Sequence, residues 1–118
     1  MSWSDWFELT TGGVNNEVPA TCGVFWIALK TTTAGYAVGS STMVLLGVAS
    51  DRQRGLRAVL NELIAKRPGS LEREREEGGG LRFCFQGNLG DKAAALHDQL
   101  LADFVKDHGE PPRCNRPS

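Results

Sequence analysis

The chain has 118 residues, a formal net charge of −1 and an apolar fraction of 41%. That is one domain's worth of sequence, able to build a core without disulfides or metal. Near-neutral charge argues against a generic polyanion binder, and the sequence holds no run approaching the roughly 18 apolar residues of a membrane span.

In chain order, the first eleven residues carry Trp3, Trp6, Phe7 and Leu9. Ser2 or Ser4 is placed to cap a short helix with Trp6 and Leu9 on one side. Trp3, Trp6 and Phe7 put three aromatics in five residues. They either cover a sheet or form a contact surface, because aromatic clusters anchor interfaces. Gly12-Gly13 and Asn15-Asn16 then break the chain, and Pro19 precedes the first strand.

Cys22–Leu29 is rich in β-branched and aromatic residues and predicts a strand. A turn follows at Thr31–Gly35, and then a short strand at Tyr36–Val38. Met43–Val48 is an almost continuous apolar run, the pattern of a strand covered on both faces. Ser50-Asp51-Arg52-Gln53 reads as a capping box opening a helix, with Leu56, Leu60, Leu63 and Ile64 at helical spacing. Gly55 weakens that helix by about 1 kcal/mol relative to Ala. It therefore marks close backbone packing or a late helix start. Pro68-Gly69 ends the helix.

Glu72–Glu77 is a charge run followed by three glycines, read as a solvated helix end or mobile loop. Leu81–Gln86 alternates as a half-exposed strand does. The clearest element comes last. Ala93, Leu96, Leu100, Leu101, Phe104 and Val105 make an apolar stripe from Asp91 to His108, stopped by Gly109 and Pro111-Pro112. The order β-β-α-β-α, with an extra N-terminal helix, predicts an α/β (α+β) domain. Its sheet is small, three-stranded, mixed or antiparallel, and flanked by helices.

Cys22, Cys84 and Cys114 are odd in number and widely spaced, so they read as reduced, packed thiols in a cytoplasmic protein. The N-terminus lacks the basic and apolar regions of a secretory signal. His97 and His108 have no ligand spacing with these thiols, and no metal site is expected. His108 suits the carbonyls of a helix end. Tyr36 reads as part of a strand and turn, and Gly78–Gly80 lacks the Lys-Ser/Thr of a phosphate loop. Arg52, Arg54 and Arg57 open the first long helix. They are either a polar helix face or a phosphate grip.

The order of these signposts resembles the GIY-YIG nuclease superfamily over roughly Pro19 to Asn115. Gly23-Val24-Phe25 is similar to its first motif, and Leu45-Leu46-Gly47 to the motif on its following strand. Pro111-Pro112-Arg113-Cys114-Asn115 is similar to its closing Pro-x-x-Asn signature. The resemblance implies a compact nuclease-like domain over residues 19–115, after an aromatic extension at 1–18 and before a tail at 116–118.

The family's chemistry is missing from these positions. Its two tyrosines fall on Phe25 and Leu45, which carry no hydroxyl. Its helix arginine falls on Val59, with Arg54 and Arg57 a turn away. Its metal-binding glutamate falls on His97, or on Asp103 when counted back from Asn115, and Asn115 alone matches. Loss of both tyrosines removes groups that act as a unit.

The expectation is therefore a catalytically inactive GIY-YIG-like module that binds protein or nucleic acid and needs no cofactor. Two alternatives stand beside it. One is a divergent Mg²⁺-dependent endonuclease that uses Arg54 or Arg57 with Asp103. The other is an assembly subunit, including a homo-oligomer, that docks through its N-terminal aromatics.

Overall fold

The computed structural model describes residues 3–51, 53–66 and 69–115. It opens with a two-residue strand, β1 (Phe7–Glu8), and a short helix, α1 (Thr11–Glu17). Ser2 lies outside the described residues, and residues 3–10 hold no helix with Trp6 and Leu9 on one side; the helix forms instead across the glycines that were expected to break the chain. Burial overrides propensity here. Thr10 Oγ1 caps the helix by accepting from the Gly13 amide at 3.0 Å. Val14 and Val18 are fully buried, and a Cβ at residue 13 would come within 2.8 Å of the Glu8 carbonyl oxygen.

Strand β2 (Gly23–Leu29) follows, buried at all seven positions. Ala34–Gly35 (β3) pairs with Ser40–Ser41 (β4) in a small separate hairpin, so the strand expected at Tyr36–Val38 is instead its loop. β5 (Met43–Ala49) then returns antiparallel to β2, as the apolar run predicts.

The next helix, α2, starts at Gly55 rather than Ser50 and runs to Lys66. Asp51 organises a turn first. Its carboxylate accepts from the Gln53 amide at 2.9 Å, and its carbonyl accepts from the amides of Arg54 and Gly55. Gly55 has φ +50, and a Cβ there would lie 2.6 Å from the Ala20 carbonyl carbon. Close approach and late start are therefore the same fact.

Helix α3 (Gly69–Glu77) occupies the segment read as a solvated helix end or mobile loop. Leu71 and Glu74, three residues apart, are buried and hold it in place. Strand β6 (Leu81–Gln86) pairs with the other edge of β2, and β1 adds outside it. The result is a fully antiparallel four-stranded sheet in the order β1-β6-β2-β5, one strand more than expected. The extra strand satisfies part of the β6 edge, helped by the Ser4 amide on the Phe85 carbonyl at 2.9 Å.

A 3₁₀ turn at Gly90–Lys92 leads into α4 (Ala93–His108), the stripe helix, capped by Gly109 in the left-handed region at φ 77. A last 3₁₀ turn spans Arg113–Asn115.

Layering follows from strand alternation. Phe25, Ile27, Leu29 and Phe83 share a core with Val14, Val18, Leu56, Leu60 and Leu71, so α1, α2 and α3 lie over one face. Val24, Trp26, Leu46 and Cys84 face the other way, against Ala93, Leu96, Leu100 and Phe104 of α4. Among the described residues, no helix is long and apolar enough to cross a membrane.

Candidate functional site

The two strands that carry Gly23-Val24-Phe25 and Leu45-Leu46-Gly47 are closed against each other. Phe25 sits opposite Gly47 in the β2–β5 ladder. Its ring occupies the space over Gly47, where a Cβ would be 2.0 Å from Phe25 Cζ. Phe25 is 1% exposed, and Leu45 packs half-buried against the same core. The Phe25 side chain is thus enclosed in the core.

Asn115 does reach these strands, but it binds backbone. Its Nδ2 donates to the Leu46 carbonyl and its Oδ1 accepts from the Leu46 amide, both at 2.8 Å. β5 is the edge of the sheet, so the carboxamide stands in for the peptide group of a missing neighbour strand.

Around this clasp lies a polar cluster that sequence reasoning missed. Tyr36 Oη donates to the Met43 carbonyl at 2.7 Å and accepts from the Arg113 amide at 3.2 Å. Burial pushes the Tyr36 phenol above its ordinary range, partly offset by that Arg113 amide. The Arg113 guanidinium reaches Glu74 at 3.3 Å, and the Glu74 side chain is 10% exposed. Tyr36 also sits edge-on to Phe104, with centroids 5.1 Å apart. His108 Nδ1 donates to the Val38 carbonyl at 3.0 Å, so it ties α4 to the hairpin loop rather than capping its own helix. The signal for Glu74 was its helical spacing from Leu71 within a charge run that looked uniformly solvated.

The remaining expected residues do not converge. Arg54 pairs with Glu62, and Arg57 Nε donates to the Val18 carbonyl at 2.9 Å, stapling α2 to the segment after α1. Arg52 lies outside the described residues. Asp103 is exposed and accepts from Gln99 Nε2 at 3.1 Å, while His97 is half-buried with Nδ1 3.3 Å from its neighbour Asp98. Both belong to α4, across the sheet from Arg54 and Arg57. Among the described residues, no three His, Cys, Asp or Glu side chains gather as a metal group.

No family model, curated protein or solved structure matches the chain.

The N-terminal aromatics make another distinct region, and they divide between the two faces. Phe7 packs into the α1–α2 core, its ring 5.9 Å from that of Phe83. Trp3 packs half-buried on the α4 side, against the cores that hold Val24 and Trp26. Trp6 is 36% exposed, with the Arg82 guanidinium carbon 4.6 Å from its ring centroid. Trp3, Ser4, Trp6, Trp26, Met43 and Cys84 line a surface cleft of about 260 Å³. Burial pushes the Cys84 thiol up to about 11, so at neutral pH it is an apolar wall rather than a nucleophile. Covering and exposure are thus both realised: Phe7 and Trp3 cover, and Trp6 is presented.

Proposed function

We infer that the chain is a catalytically inactive, GIY-YIG-like domain that binds a protein partner. The observation that carries this reading is the Phe25 ring closed over Gly47. The position where the family places a water-activating tyrosine is filled by core packing, and its cleanly matched residue, Asn115, is engaged by the Leu46 backbone.

The donors present do not suit Mg²⁺. A hard cation needs free carboxylate oxygens. Glu74 is the buried carboxylate among the described residues, and a guanidinium already sits on it. Asp103 and His97 stand on the exposed and half-buried flanks of α4, and among the described residues they join no group of three metal-ligating side chains.

A protein partner is favoured over nucleic acid by charge. Lys30, Arg54, Lys66, Arg75 and Arg113 each pair with a glutamate, which reduces the free positive charge that phosphate backbones require. Aromatic exposure at Trp6 supplies a contact surface of the kind protein interfaces use.

The test is supercoiled plasmid incubated with the protein and Mg²⁺ or Mn²⁺. Plasmid left intact is the expected result. Nicking that disappears in Glu74→Gln or Asp103→Ala would establish the divergent nuclease instead.

A further inference from the structure

Three observations meet at the cleft between Trp3, Trp6 and Trp26. Its volume of about 260 Å³ falls below the roughly 300–1,000 Å³ of pockets that enclose whole cofactors. It therefore suits one large side chain. Its walls are indole, thioether and neutral thiol, surfaces that adapt to an apolar or aromatic insert.

The third observation is a cation at its rim for which the described residues show no anion. Arg82 projects from β6 on the same side as Cys84, two residues on, and stacks on Trp6. Its Nε is buried, and no described residue accepts from it. The acid across the ladder is Glu8, but that carboxylate is held by Lys30 at 3.1 Å. A buried guanidinium N–H left unpaired costs stability that an incoming carboxylate recovers, and charge-assisted pairs of this kind are the strong ones.

We propose that the cleft binds an acidic–aromatic segment of a protein partner. An aromatic side chain enters between Trp3, Trp6 and Trp26, and a neighbouring carboxylate pairs with Arg82. This rests on the reading of the chain as a protein-binding domain and names the chemistry of the partner. Single-stranded nucleic acid is the poorer occupant. Bases would stack on the tryptophans, but among the described residues Lys30 is already paired with Glu8 and Arg82 lies over Trp6.

The full chain is titrated with a tryptophan-free peptide centred on Asp-Phe-Glu, read by the change in the protein's own tryptophan emission and by calorimetry. Saturable binding is expected. It weakens by about tenfold when the two acids become lysines, when Phe becomes Ser, or in Arg82→Gln. Trp6→Ala weakens it by a similar factor, and Arg75→Gln on α3 leaves it unchanged. Affinity also falls as salt rises from about 50 to 500 mM, a readout that needs no variant to fold. The proposal is overturned by absence of saturation up to about 1 mM peptide, by equal affinity for the lysine peptide, or by undiminished binding in a folded Arg82→Gln. Preferential binding of oligo-dT with the same Arg82 and Trp6 dependence also overturns it. Failed peptide binding with plasmid left intact removes this assignment alone, whereas metal-dependent nicking removes the reading beneath it.

Discussion

The β5 edge and the aromatic cleft are both polar–aromatic junctions at the margin of one sheet, yet folding treats them differently. At the β5 edge the polar groups answer one another: Asn115 with the Leu46 backbone, Tyr36 with Met43 and Arg113, Arg113 with Glu74. At the cleft, Arg82 keeps a buried Nε without an acceptor among the described residues, and Trp6 keeps a third of its surface. The β5 edge has a chemical character in sequence and a structural one in space. The cleft begins in sequence as a sticky terminus and is built in space beside Arg82, which lies over Trp6. Groups that satisfy each other stabilise the fold; groups left unsatisfied are where a partner gains binding energy.

This contrast breaks first at Phe25. Phe25→Ala removes a fully buried ring and is expected to cost about 3–5 kcal/mol in denaturant unfolding. Gly47→Ala forces a methyl into that ring and costs about 1–3 kcal/mol. Combined with Phe25→Leu, most of the Gly47→Ala penalty should vanish. Additive losses in that double mutant would mean that the ring does not close over residue 47.

A smaller effect is expected at the clasp. Asn115→Ala exposes both edge groups of Leu46 and costs about 1–3 kcal/mol, and Asn115→Asp loses a similar amount because it cannot donate to the carbonyl. An Asn115→Ala protein as stable as wild type would refute the structural role.

The mildest test is alkaline titration. Cys84 holds its proton in the fold to about 11, against an ordinary 9.0. The unfolded chain releases that proton first, so stability is intact below about pH 9 and declines as pH rises toward 11. Tyr36, also raised, extends the decline in the same direction. Cys84→Ala should flatten the early part, as followed by unfolding midpoints across that range. An unchanged slope would mean that the thiol is not desolvated.

Much of the fold was legible because local pattern and tertiary environment agree. Met43–Ala49 is apolar on both sides since both its faces are covered, and α4 carries its stripe because one face meets the sheet. The misreadings occur where the two disagree. Gly12-Gly13 has the pattern of a breaker, yet α1 forms because Val14 and Val18 are buried and the glycine at 13 admits the Glu8 carbonyl. The charge run hides α3 because, among its described side chains, Leu71 and Glu74 are the buried ones, too few to show as periodicity. At the site, Trp3 and Trp6 were visible as candidates, but Arg82 was not. A single charge on an alternating strand has the pattern of an ordinary solvent-facing residue.

The sequence by itself determined the strand pair, the long helices, and the absence of hydroxyls at Phe25 and Leu45, because these depend on side-chain identity and on periodicities of two and 3.6 residues. Only the tertiary structure decided that Phe25 fills the space over Gly47, that Asn115 closes an edge, and that Arg82 stands over Trp6 with no carboxylate on it among the described residues. These are contacts between residues 22 to 76 positions apart, and no local pattern encodes which distant groups a folded sheet brings within hydrogen-bonding reach.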